Sequence, residues 1–262
     1  MRNSLLLPVL LFMFITGCST TKTIVDFRQK EAGIITAKEF APEITEEMEF
    51  DERSSIYYKL EHDNENLYLL LAISDNIVQR KIIFFGLTVW TDKTSSRNKN
   101  QGFRFPLGSG GNFTGRPVES PADFQILLDR FDEIELIGIY GSSVRKVRTR
   151  DSQIRTNISI ADDFLIYKAI IPFGLLEHRL NPVGLAKTMS LGIETGHLDL
   201  SSSRRRGDSQ MPRSGMHPVT GGGIYRPTYP GLPDRNRMED RHNEIQNLSR
   251  PSRLWVELEF RK

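Results

Sequence analysis

The stretch SIYYKLEHDNENLYLLLAIS, Ser55 to Ser74, decides the fold. SIYYKLE is an apolar, β-branched and aromatic run. HDNEN, His62 to Asn66, is a polar Asp/Asn turn, and NLYLLLAIS is a second apolar run. Two such runs around this kind of turn predict a β-hairpin. Leu67, Leu69, Leu71 and Ile73 share one face by the two-residue period of a strand. Tyr68, Leu70 and Ala72 make the other face apolar as well, which predicts a central strand buried on both sides.

The pattern continues outward on the C-terminal side. NIVQRKIIFF, Asn76 to Phe85, lacks strict alternation and reads as a short helix ended by Gly86. Leu87 to Asp92 and Gly102 to Leu107 read as strands around the polar loop TSSRNKN. Glu133 to Tyr140, Val144 to Thr149, Ile154 to Ile160, Phe164 to Ile171 and Leu185 to Glu194 extend the series. In the last strand Leu254, Val256, Leu258 and Phe260 alternate with Trp255, Glu257, Glu259 and Arg261. That is one buried and one wet face, as in an antiparallel sheet. Many short strands with polar turns and one or two short helices predict an all-β fold, an antiparallel β-sandwich.

Residues 201–250 break the pattern. They carry scattered prolines, Gly221-Gly222-Gly223 and many arginines, with few aliphatics. Such a stretch buries too little apolar surface to offset its ordering entropy. It is expected to be a long, flexible Arg/Gly/Pro-rich insertion before the last strand, disordered or functional.

The chain begins MRNSLLLPVLLFMFITG. Arg2 is a positive n-region, Leu5 to Ile15 is almost wholly apolar, and Thr16-Gly17 are small. This is the pattern of a secretory signal, and the apolar run falls short of the roughly 20 residues a membrane span needs. Cys18, the only cysteine, follows directly. Ile15-Thr16-Gly17-Cys18 resembles the lipobox of bacterial lipoproteins, which implies lipid on the Cys18 thiol after cleavage. Several acyl chains, at about 0.8 kcal/mol per buried CH₂, anchor stably where one does not. The expected organisation is a signal peptide over 1–17, a lipidated tether over 18–22, and a single sandwich domain over 23–262. A lone cysteine excludes an internal disulfide. Ser19-Thr20 lacks the Asp that retains lipoproteins at the inner membrane in some bacteria, so the resemblance implies the outer membrane, its face left open.

Among the 262 residues, Lys plus Arg number 35 and Asp plus Glu 33, and the signal holds only Arg2 of these. A nearly neutral mature chain gives no general case for nucleic acid as a partner.

Three stretches resemble the family 9 carbohydrate-binding modules and the related DOMON-like sandwiches. They are YYKLEHDNENLYLLLAISD (Tyr57 to Asp75), FLIYKAIIPFGLL (Phe164 to Leu176) and the closing SRLWVELEF (Ser252 to Phe260). In the second, Lys168 or its neighbours stand where the family commonly has Glu. The likeness is poor over 93–132 and 201–250. The motifs are structural, so the resemblance implies fold before function. The layout is also similar to uncharacterised lipoproteins of Bacteroidetes-type bacteria.

Sugar binding uses flat aromatic faces with hydrogen-bonding groups around them. The candidates are Trp255, Trp90, Tyr225 and Tyr229. Trp255 lies on the wet face of the last strand, open to solvent or to cover by the insertion. Trp90 sits in a strand, where core packing is the competing explanation. Tyr225 and Tyr229 lie in the insertion and contribute only if it orders. Asp63, Asn64, Glu65 and Asn66 cluster as calcium ligands would, but a hairpin turn is the preferred explanation. Asp162-Asp163 reads as a turn. Glu194, His197 and Asp199 could ligate metal or transfer protons, but residues 194 and 197 fall on opposite faces unless Gly196 bends the strand. Met189 and His197 are the one pair open to haem. Arg204, Arg205 and Arg206 could meet anionic headgroups or acidic glycans. The sequence holds no H-E-x-x-H, G-x-S-x-G or P-loop pattern. The expectation is therefore a membrane-tethered, non-catalytic glycan-binding or recognition module without metal or cofactor. The alternative is a structural or assembly lipoprotein whose insertion contacts a protein or envelope partner.

Overall fold

The computed structural model describes residues 21–27, 47–93, 96–109, 121–161, 163–176, 188–200 and 243–260. The expected signal peptide and Cys18 lie outside them. In chain order the strands are β1 (Thr21–Phe27), β2 (Glu49–Asp51), β3 (Ile56–His62), β4 (Asn66–Ile73), β5 (Leu87–Asp92) and β6 (Gly102–Arg104). They continue with β7 (Glu133–Ile137), β8 (Val144–Arg148), β9 (Arg155–Ala161), β10 (Phe164–Pro172), β11 (Thr188–Thr195) and β12 (Arg253–Phe260). Helices are α1 (Asn76–Phe85), α2 (Pro121–Leu128) and α3 (Phe173–Leu176). Among the described residues no helix is long and apolar enough to cross a membrane.

The strands form an all-β sandwich. Sheet A runs β8-β7-β6-β5-β11-β12 and sheet B runs β3-β4-β10-β9, with β2 beside β3. Pairing within each sheet is antiparallel. β1 joins the two: it pairs parallel with β12 over Thr21 to Val25, then with β3 through Asp26 and Phe27. The sequence reading ended the tether at Lys22, whereas regular structure starts at Thr21.

The hairpin forms as its alternation predicts. Leu67, Leu69, Leu71 and Ile73 face the core, where they meet Leu191, Ile193, Leu254, Val256 and Leu258 from sheet A. Each such burial contributes about 1.5–3 kcal/mol. β4 lies between β3 and β10, and its second face carries Leu70 and Ala72 into a smaller cluster with Met48 and Ile166. The turn is fixed by Asp63, whose carboxylate accepts the N–H groups of Glu65 (2.7 Å) and Asn66 (2.6 Å) and the hydroxyl of Tyr68 (2.6 Å).

α1 has the predicted limits. The Asp75 carboxylate caps Ile77 N–H and Val78 N–H at 2.8 and 2.9 Å, satisfying two donors that a helix start leaves open. Gly86, at φ 90°, ends the helix and returns its N–H to Ile82 O. Gln79 binds the carbonyls of Ile73 and Asp163, and Lys81 Nζ donates to Ser252 Oγ at 3.2 Å. These contacts lock α1 to the strand entering from each side.

Four elements differ from the sequence reading. α2 was not predicted. β6 stops at Arg104 rather than Leu107, where Pro106 removes a donor, and β7 stops at Ile137, before a turn in which Gly138 has φ 66°. Residues 243–248, placed by sequence inside the insertion, are helical, with Leu248 buried and Glu244 paired to Arg80. The remainder of the insertion, 201–242, lies outside the described residues.

Candidate functional site

The outer face of sheet A brings together the two tryptophans. On β5, Thr88 and Trp90 point outward while Leu87, Val89 and Thr91 point in, and Asp92 is buried at the end of the strand. On β12, Arg253, Trp255 and Glu257 point outward while Leu254 and Val256 fill the core. β11 runs between these strands, and Gly192 is the cross-strand partner of both Trp90 and Trp255. Core packing therefore does not explain Trp90: it sits on the same outward face as Trp255, two strands away.

The glycines shape this surface. A Cβ on Gly192 would meet three adjacent carbons of the Trp255 six-membered ring at 2.8 Å. That ring therefore lies across the Gly192 Cα. At Gly102, the partner of Trp90, the close approach is mainly of backbone: a Cβ there would stand 2.4 Å from Val89 O and 3.0 Å from Trp90 Cε3. Glycine inside a strand commonly marks such close approach.

One carboxylate organises the adjacent edge. Glu194 sits next to Gly192 on the same face and accepts from Trp90 Nε1 (3.0 Å), Lys99 Nζ (2.6 Å) and Arg253 Nε (2.6 Å). Burial pushes its pKa up, but the hydrogen bonds from Lys99, Arg253 and Trp90 outweigh it and hold the carboxyl below the usual glutamate range. The Trp90 bond also fixes the indole. Asp92 accepts Asn98 N–H at 2.9 Å, and Arg104 donates to Phe85 O. The result is two apolar ring surfaces edged by carboxylate, ammonium and guanidinium groups. Such a surface can stack on the CH face of a sugar and bond its hydroxyls.

The other candidates separate. Glu194 is occupied by its cations and Trp90, and His197 is exposed beyond Gly196. Among the described residues no group of three His, Cys, Asp or Glu could hold a metal ion, so the Glu194, His197 and Asp199 set is not assembled. Met189 lies in the hydrophobic core at the far end of β11 from His197, so the two do not converge on a haem. Asp63 spends its carboxylate on the hairpin turn rather than on calcium. Asp163, at φ 65°, occupies a turn, as read. Cys18, Asp162, Arg204, Arg205, Arg206, Tyr225 and Tyr229 lie outside the described residues.

Sequence reasoning missed Lys99, Arg253, Gly192 and Gly102. The alternation of β12 already put Arg253 on the face of Trp255. The glycines inside LGIET and before FRF were the available signal for close approach at the sheet.

No protein-family model matches the chain, and no curated protein matches it. Among solved structures, the chain is similar to a family 9 carbohydrate-binding module from Caldicellulosiruptor kristjanssonii in complex with glucose. The TM-score is 0.33 at 11% identity, over 70% of this chain and 81% of that one. It is likewise similar to a family 9 module from the same organism in complex with cellotriose, with a TM-score of 0.34 at 11% identity, over 70% and 80% of the two chains.

Proposed function

We propose that this protein is a membrane-tethered, non-catalytic module that binds glycan on the outer face of sheet A. The observation that carries the reading is the placement of Trp255 and Trp90 on one outward face, either side of Gly192. Aromatic rings held on a rigid sheet, with charged groups at their edge, suit neutral sugar rings better than they suit a protein core. Glu194 holds Trp90 in place, so little side-chain entropy is lost on binding.

The tether belongs to the same proposal. Lipid on Cys18 would leave only Ser19 and Thr20 before β1. At about 3.3–3.6 Å per residue, Thr21 then lies within roughly 11 Å of the anchored cysteine. The sandwich would sit directly on the membrane surface and present sheet A as a fixed receptor.

Affinity electrophoresis of the full-length protein through gels containing soluble polysaccharides tests the binding. Retardation by at least one polysaccharide, abolished in Trp255→Ala, supports it. No retardation by any polysaccharide overturns it. Membrane fractionation of Cys18→Ser tests the anchor, which predicts loss of membrane association.

A further inference from the structure

Strand β8 ends sheet A, and no described strand lies beyond it. It pairs with β7 without interruption, from Glu133↔Arg148 to Ile137↔Val144. Two backbone bonds fix which groups that pairing uses. Gly138 N–H donates to Ser143 O at one end, and Thr149 N–H donates to Asp132 O at the other. Ladder bonds alternate along an antiparallel strand. Ser143, Arg145, Val147 and Thr149 therefore bond toward β7. Val144, Lys146 and Arg148 turn their N–H and C=O groups to the open side, where no backbone group among the described residues meets them.

The side chains follow the same period. Val144, Lys146 and Arg148 share the outer face, and Arg145 and Val147 share the inner one. Val144 is 58% exposed, and Arg145, Lys146 and Arg148 are exposed as well. Described carboxylates stand on the β7 side: Glu133 faces Arg148, Glu135 faces Lys146, and Asp132 lies level with Thr149. Past the strand's end Asp151 pairs with Arg150 at 3.8 Å. Across the sheet the row reads Arg104, Glu135, Lys146, so charge alternates in sign and ends on a cation. Proline or a bulge commonly blunts such an edge; β8 has neither, and it leaves Val144 exposed. Its cations guard against a second copy of this strand, since antiparallel pairing about Lys146 would set the two Lys146 side chains opposite each other.

We infer that β8 is a docking edge for an extended acidic segment of a partner protein, which adds to sheet A as a further strand. The added strand bonds the outward N–H and C=O groups of Val144, Lys146 and Arg148. It sets carboxylates opposite Lys146 and Arg148 on one face and opposite Arg145 on the other, with apolar side chains opposite Val144 and Val147. In this mode the main chain supplies affinity and the alternate side chains supply specificity. The edge is separate from Trp90 and Trp255, because β6 and β7 lie between β8 and β5. A partner there leaves both rings open.

The test is fluorescence anisotropy of the labelled peptide Val-Glu-Glu-Val-Glu-Glu-Val titrated with the full-length protein. Whether it pairs parallel or antiparallel, this peptide can set Glu opposite Arg145, Lys146 and Arg148, and Val opposite Val144 and Val147. Binding should saturate, weaken at least tenfold in Lys146→Glu/Arg148→Glu, and vanish when the peptide's backbone nitrogens are methylated. Lys146→Pro removes an outward N–H and no bond to β7, and edge strands accept proline. It should bind at least tenfold more weakly than Lys146→Ala while keeping the cooperative melt. Equal binding of the methylated peptide, or equal affinity of the Pro and Ala variants, shows a charge contact without strand pairing and overturns the inference. No saturable binding of the unmodified peptide overturns it as well.

Discussion

The six-membered ring of Trp255 lies against the backbone of Gly192, with no space for a side chain between them: a Cβ there would stand 2.8 Å from three ring carbons. Gly192→Ala must therefore turn the indole off the sheet. The expected cost is about 1–3 kcal/mol of stability, as for other overpacked sites, with a loss of glycan affinity. In a Trp255→Ala background the same substitution should cost much less stability, because the clashing partner is gone. Additive stability losses in the double variant would contradict the contact.

Glu194 binds Lys99, Arg253 and Trp90 with a carboxyl held below its ordinary pKa. A group whose folded pKa is depressed contributes stability above its unfolded value, about 4.3, and loses it as pH falls through the folded value. Lys99 and Arg253 are partly exposed, so the contribution is only about 1 kcal/mol. Glu194→Gln should lower the urea midpoint at pH 7 by more than it does at pH 3. An equal gap at both pH values would show that the charge is not the cause.

Tyr167 is fully buried on β10, beside Phe105, and its hydroxyl has no hydrogen-bond partner among the described residues. Burial also pushes its phenol pKa far up. A buried hydroxyl without a partner costs stability, so Tyr167→Phe should be as stable as the native chain or more stable by about 1 kcal/mol. A clear loss on denaturant titration would reveal a partner for this oxygen.

β12 lies between β11 and β1 and carries Leu254, Val256 and Leu258 into the core. Three such side chains contribute about 5–9 kcal/mol together, comparable to the whole stability of a typical domain. Deleting residues 254–262 should abolish the cooperative melt. A truncated chain with an unchanged transition would show that the sandwich closes without this strand.

Local pattern carried much of the fold. Period-two alternation in β3, β4 and β12, the Asp/Asn turn and the Gly86 stop all act over a few residues, and all are legible in sequence. α2 was missed although Phe124, Leu127, Leu128 and Phe131 recur at the i, i+3, i+4, i+7 spacing of a helix and pack on the core. The role of β1 was not legible: its pairing with both β12 and β3 joins opposite ends of the chain, and local sequence does not encode that choice. The site divides the same way. Trp255 and Trp90 were recognisable singly as aromatic residues in strands. Their convergence depends on β11 inserting between β5 and β12, and Glu194 meets Lys99 from 95 residues away.

The most direct measurement is calorimetric titration of the best-binding polysaccharide with the native protein, Trp255→Ala, Trp90→Ala and the double variant, each with its melting temperature recorded. Each ring should contribute about 1.4 kcal/mol or more, a tenfold change. The account predicts that each single variant weakens binding at least tenfold, and that the double variant abolishes it with the cooperative melt preserved. Native-like binding by the folded double variant would contradict it, and would place any glycan site away from the outer face of sheet A.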